Sequence, residues 1–128
     1  MIDSLIIEGT NKTPTVKFQG DSGVLEISGK SIPENSLGFY QPLYSWIDQY
    51  SNEPAGKTEV KIMLEYFNTS SSKCLLDIFR KAENMKKAGK SEVTVLWHYE
   101  ADDEDMMEAG QDYDALIDLP FTLVEMPA

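Results

Sequence analysis

Between Thr15 and Ile27 apolar and polar positions alternate in Thr15-Val16-Lys17-Phe18 and Val24-Leu25-Glu26-Ile27, which flank Gly20-Asp21-Ser22-Gly23. A period of two on either side of a glycine-bounded turn predicts a β-hairpin. Leu5–Glu8 reads as a strand before it, and Gly29–Ile32 as a loop after it. The period then changes. Tyr40, Leu43/Tyr44, Ile47 and Tyr50 recur at steps of three and four, the apolar face of a helix. Pro33-Glu34-Asn35-Ser36 supplies its start, because proline fits at or just before the first turn and Asn and Ser cap well. Ser51–Gly56 ends it.

Glu59–Phe67 reads as a largely buried strand, with Val60, Ile62, Leu64 and Tyr66 in one row. The polar run Asn68-Thr69-Ser70-Ser71-Ser72 leads into a second helix whose inner stripe is Leu75, Ile78/Phe79, Ala82 and Met85, with Gly89 as its C-cap. Val93, Val95 and Trp97 form another strand. Asp102-Asp103-Glu104-Asp105 loads a third helix start with acids, where the dipole favours them. Met106, Gly110, Tyr113 and Ile117 mark its inner face, and Phe121–Val124 closes the chain as a strand. Strands that alternate with helices imply right-handed crossovers and parallel pairing, while the early hairpin makes the sheet mixed. The expected class is α/β, with about five to six strands and about three helices.

Composition narrows the function classes. The 128 residues are 41% hydrophobic and suit one domain spanning 1–128. A single cysteine, Cys74, allows no intrachain bridge and points to a reducing compartment. The opening residues lack the basic region of a signal peptide, and no apolar run approaches the ~20 residues of a membrane span. A cytoplasmic protein without membrane insertion is therefore expected. The net charge is −11, and ten of the acids lie between Tyr99 and Ala128, a stretch without Lys or Arg. Such a surface repels phosphate backbones, so no nucleic-acid partner is expected.

Catalytic motifs fail on inspection. Gly29-Lys30-Ser31 and Gly89-Lys90-Ser91 lack the glycine five positions upstream that a phosphate-binding loop needs; Val24 and Asn84 stand there. One histidine, His98, and one cysteine make no zinc site, so neither a metal nor another cofactor is expected. Cys74 falls beside an apolar helix stripe, where a packed thiol is the natural reading. Tyr40, Tyr44, Trp46 and Trp97 could line a small-molecule pocket, but they read first as packing residues. Nothing supports an enzyme.

One segment exceeds its structural needs. In Tyr66-Phe67-Asn68-Thr69-Ser70-Ser71-Ser72 a buried strand hands four hydroxyls to a helix N-terminus, where one cap would suffice. A phosphoryl group on Thr69 would sit beside free backbone N–H groups and change the local charge by roughly −1.5 to −2. A partner that buries the unmodified hydroxyl would then be expelled.

This strand, hydroxyl-rich turn and helix resemble the STAS domains of anti-sigma-factor antagonists. Three stretches bring the chain closer to the SiaC-type regulatory phosphoproteins: Gly9-Thr10 with Thr13-Pro14, Ile32-Pro33-Glu34-Asn35-Ser36, and Tyr66-Phe67-Asn68-Thr69-Ser70-Ser71. The acidic Asp102–Met106 run and Pro120-Phe121 also fit, in collinear order. The resemblance implies a STAS-like domain and a phosphorylated Thr69, set among Asn68, Ser70 and Ser71. Glu34 and Asn35 would help shape the adjoining partner surface. It also implies a Ser/Thr kinase of the histidine-kinase-like ATPase type, a PP2C-type phosphatase, and a diguanylate cyclase activated by the unphosphorylated form. An anti-sigma-factor antagonist in a partner-switching pathway is the alternative on the same fold.

Overall fold

The fold is that of a computed structural model, which describes residues 3–127. Its elements in chain order are β1 (Leu5–Ile7), β2 (Thr15–Gln19), β3 (Val24–Ser31), α1 (Ser36–Tyr50), β4 (Lys57–Phe67), α2 (Thr69–Lys87), β5 (Glu92–Glu100), α3 (Glu104–Leu116) and β6 (Phe121–Met126). The strands form one six-stranded sheet in the order of the chain. β1, β2 and β3 pair antiparallel, and β3 through β6 pair parallel. The mixed α/β class expected from the alternating periods is the one observed.

Each parallel connection contains one helix, so right-handed crossovers lay α1, α2 and α3 on the same face. Strand burial follows from that. Val16, Phe18, Leu25, Ile27, Val60, Ile62, Val93, Val95 and Trp97 point under the helices and are buried. Their neighbours Lys17, Glu26, Lys61 and Leu96 face the uncovered side and stay partly or wholly exposed. The helices close over the core with the stripes their periodicity predicts, among them Tyr40, Leu43, Ile47, Leu75, Ile78, Phe79 and Met106. Trp97 is fully buried at the meeting of β5, α2 and α3, and its indole N–H donates to the Met106 carbonyl at 2.9 Å. α3 can come this close because residue 110 is glycine: a Cβ there would stand 2.5 Å from Trp97 Cδ1.

The sheet departs from expectation at one place, with two consequences. Gly29–Ser31 is not a loop but the end of β3. Gly29 adopts φ +99°, a region that disfavours other residues, and the β3–β4 register shifts between Gly29 and Lys30. Before the shift Gly29 pairs with Leu64, and after it Lys30 pairs with Tyr66, so Glu65 is an extra residue in β4. One inserted residue reverses the alternation beyond it. Tyr66 therefore leaves the row of Val60, Ile62 and Leu64 and lies 57% exposed, while Phe67 turns in to meet the Trp97 ring edge-on at 6.0 Å. Smaller differences lie at the helix ends. Ala88, not Gly89, occupies the C-cap of α2, and Ile117 is buried just beyond α3 in extended backbone.

Because α1, α2 and α3 follow the C-terminal ends of β3, β4 and β5, their N-termini gather at one end of the sheet. Asn35, Asn68 and Asp103 cap them, each side chain accepting the backbone N–H of the helix's third residue. No helix of the described residues is long and apolar enough to cross a membrane.

Candidate functional site

At that end of the sheet Ser31, the last residue of β3, lies opposite Phe67, the last of β4. The starts of α1 and α2 are thereby side by side, although they are far apart in sequence. Asn68 joins them. Its backbone N–H donates to the Ser31 carbonyl at 3.0 Å, its side-chain NH2 to the Pro33 carbonyl at 3.4 Å, and its Oδ1 accepts the Ser71 N–H at 2.9 Å.

The serines of the run are each engaged. Ser71 is fully buried and donates to the Ser31 carbonyl at 3.0 Å. Ser31 in turn donates its hydroxyl proton to Ser71 Oγ at 2.8 Å, so the Tyr40 hydroxyl, 2.7 Å from Ser31 Oγ, must be the donor there. Burial pushes the Tyr40 phenol up to about 12, so this chain of hydroxyls is neutral at ordinary pH. Ser70 donates to Asn68 Oδ1 at 3.2 Å and, its one proton spent, accepts from Ser36 Oγ at 2.6 Å. Ser72 accepts from the Tyr113 hydroxyl, through its carbonyl at 2.8 Å and its Oγ at 3.2 Å.

Thr69 differs from all of them. It is exposed, and among the described residues its hydroxyl meets no hydrogen-bond partner. It is the first residue of α2, and the first intrahelical bond runs from Ser72 N–H to the Asn68 carbonyl at 3.0 Å. With the Ser71 N–H taken by the cap, the N–H groups of Thr69 and Ser70 remain for water or an anion. Lys73, one turn on, is exposed and lines the same groove between α2 and α3 as Thr69.

The structure brings Glu34 and Asn35 to this end of the molecule, through the Ser36–Ser70 and Pro33–Asn68 contacts. Glu34 is 92% exposed, with Lys12 Nζ 3.9 Å away, whereas the Asn35 side chain is committed to capping α1 by accepting the Gly38 N–H at 3.0 Å. Sequence reasoning missed three exposed apolar side chains: Leu37 (63%) and Tyr66 (57%) at this end, and Leu116 (54%) at the far end of α3. Leu116 was detectable, since it falls off the Met106/Gly110/Tyr113 stripe; Leu37 fits the inner spacing of α1 but sits in its first turn. The aromatic quartet does not form a pocket. Tyr40, Tyr44, Trp46 and Trp97 are all buried in the core, with Trp46 stacked on Tyr50 at 5.0 Å and Tyr40 on Tyr44 at 6.5 Å. Cys74 is buried with them.

Comparisons with known proteins agree over nearly the whole chain. An uncharacterized protein of Pseudomonas aeruginosa is 29% identical over 122 residues, 95% of this chain and 96% of that one. The solved structure of SiaC of Pseudomonas aeruginosa superposes with a TM-score of 0.89 at 27% identity, covering 98% of this chain and 100% of that one. The structure of the diguanylate cyclase SiaD in complex with its activator SiaC, from the same organism, matches with a TM-score of 0.89 at 29% identity, covering 95% of this chain and 99% of the matched one. The family model for SiaC family regulatory phosphoproteins matches residues 7–126, and the chain belongs to that family.

Proposed function

We propose that this chain is a non-catalytic cytoplasmic regulator whose unphosphorylated form binds and activates a diguanylate cyclase, and which is switched off by phosphorylation of Thr69. The observation that carries this reading is the state of the Thr69 hydroxyl. It stands exposed at the start of α2 with no hydrogen-bond partner among the described residues, beside serines whose hydroxyls are already bonded. Membership of a family of regulatory phosphoproteins, and the likeness to an activator solved with its cyclase, support the acceptor and the effector respectively.

The switch follows from electrostatics. A phosphoryl group on Thr69 brings roughly −1.5 to −2 charges. The free N–H groups of Thr69 and Ser70, the dipole of α2 and the Lys73 ammonium one turn away all favour that charge, so the fold accepts it without rearrangement. A cyclase surface that covers Thr69 would have to strip water from a dianion, and docking is lost. A Ser/Thr kinase of the histidine-kinase-like ATPase type installs the group and a PP2C-type phosphatase removes it. Ser71 is an unsuitable acceptor because its hydroxyl is sealed in the core.

Incubation with such a kinase and ATP, followed by mass spectrometry, tests the acceptor. One phosphate on the wild-type chain and none on Thr69→Ala is the expected result. Full labelling of the Thr69→Ala variant would move the site to Ser70 or Ser72 and remove the basis of the reading.

A further inference from the structure

The sheet ends differently at its two edges. β1 is three residues long, too short to template another strand. β6 is six residues long and, among the described residues, pairs only with β5. Its register with β5 runs unbroken from Val95–Phe121 to Glu100–Met126, with no bulge to twist the edge away. The carbonyls of Pro120 and Met126 accept the Val95 and Ala101 N–H groups at 2.9 and 3.0 Å. Backbone groups alternate sides along a strand, so the even-numbered residues of β6 serve β5. The N–H and C=O groups of Phe121, Leu123 and Glu125 therefore point out of the sheet edge, and no hydrogen bond among the described residues takes them. Pro127, next in that series, has no N–H to offer and ends the row.

The surroundings of that edge carry one sign of charge. α3 turns Met106, Gly110 and Tyr113 to the sheet, and its Asp105, Ala109 and Asp112 side faces α2. The helical period leaves Met107 and Asp114 on the remaining flank, over the β6 edge. α3 returns from the C-terminal end of β5 to the N-terminal end of β6, so it runs antiparallel to them. Asp114 thus lies toward Phe121, and Met107 toward Glu125. Asp114 and Glu125 are exposed, with the half-buried Leu123 between them along the edge. No Lys or Arg occurs from Tyr99 onward to offset these acids.

We infer that the open edge of β6 takes up an extended, basic segment of a partner protein as a seventh strand. Strand addition draws its affinity from main-chain hydrogen bonds and its specificity from alternate side chains. Phe121, Leu123 and Glu125 supply the donors and acceptors. On the helix-covered face the added strand sets one basic side chain beside Asp114 and another beside Glu125, with an apolar one against Leu123 between them. The segment that fits has bases at i and i+4 around an apolar i+2. A second copy of this chain does not fit, because two β6 edges paired antiparallel would gather the carboxylates of both copies with no base among them. The edge lies across α3 from Thr69, and the inference stands independently of the switch proposed above.

Amide hydrogen exchange of the full chain, read by NMR, tests this with the synthetic peptide Thr-Lys-Thr-Val-Thr-Lys-Thr. Two controls accompany it: the same peptide with Glu for Lys, and the same peptide N-methylated throughout, which keeps the charge and removes the donors. With the Lys peptide at about ten times its Kd, exchange at Phe121, Leu123 and Glu125 should slow about tenfold. Thr122 and Val124, already bonded to β5, should change less, and neither control should slow any of the five. Glu125→Lys replaces an exposed side chain, so its fold is retained, which circular dichroism checks. It should weaken the Lys peptide by at least about threefold at low salt. Unchanged exchange at the three outward amides in millimolar Lys peptide overturns the inference. Equal slowing by the Glu peptide, or an unchanged Kd in Glu125→Lys, removes the charge preference and overturns it as well. Slowing that follows protein concentration without any peptide would assign the edge to a second copy and also overturn it.

Discussion

The two halves of α2 hold their polar groups in opposite ways. Toward its C-terminal half, Glu83 is buried, accepts the Asp118 backbone N–H, and has Arg80 at 3.4 Å and Lys87 at 3.7 Å. The Asp118 N–H, with help from the two cations, holds its carboxyl below the usual range against the opposing effect of burial. That half is anchored by charge that is already neutralised. The N-terminal half contains no charge before Lys73: Asn68 caps it and neutral hydroxyls tie it to β3 and α1. A new anion at the anchored half would displace an existing ion cluster. At the capped half it finds open N–H groups and a nearby ammonium, and displaces nothing.

Removing the anchor should have the largest effect. Glu83→Ala leaves the Asp118 N–H without its acceptor and two cations unpaired, and should cost about 2–3 kcal/mol in urea unfolding. A change under about 0.5 kcal/mol would mean that the two halves do not differ as described. Acid should expose the same contrast. The folded pKa of Glu83 is lowered, so its contribution is complete above the unfolded value near ~4.3 and disappears as pH falls through the folded value. Stability measured from pH 6 to 3 should fall over that range, and more shallowly in Glu83→Ala. At the other half the effects are smaller. Asn68→Ala removes the cap and Ser71→Ala takes from Ser31 its buried acceptor, each costing about 1 kcal/mol. Thr69→Ala should be the mildest, within ~0.5 kcal/mol of wild type, because its exposed hydroxyl has no hydrogen-bond partner among the described residues. A larger loss would reveal a structural role for Thr69.

The sequence made much of this legible because each segment obeys one rule at a time. The stripes of α1, α2 and α3 and the alternation in β2, β3 and β5 are local consequences of burying one face, and they appear in the structure at Tyr40, Leu75, Val95 and their partners. Thr69 at the start of α2 was legible for the same reason, as a polar run between two periods. The misreadings share a different cause. Ser31 is buried by hydroxyls from Tyr40 and Ser71, so its strand carries no hydrophobic signal. The spacing along β4 alone puts Tyr66 in the inner row, because the register shift that turns it outward belongs to β3 and β4 jointly. The meeting of Ser36 with Ser70, and the groove between Leu76 and Ala109, are likewise properties of pairs of elements. Periodicity along one segment does not encode them.

The central claim is that charge on Thr69, with the fold unchanged, decides whether the cyclase docks. Its most direct test compares the affinity of the cyclase for the unmodified protein and for protein phosphorylated stoichiometrically on Thr69, with circular dichroism and thermal unfolding of both. The account predicts superimposable spectra and affinity reduced by at least about a hundredfold, roughly 2.7 kcal/mol. Equal affinity of the two forms would contradict it.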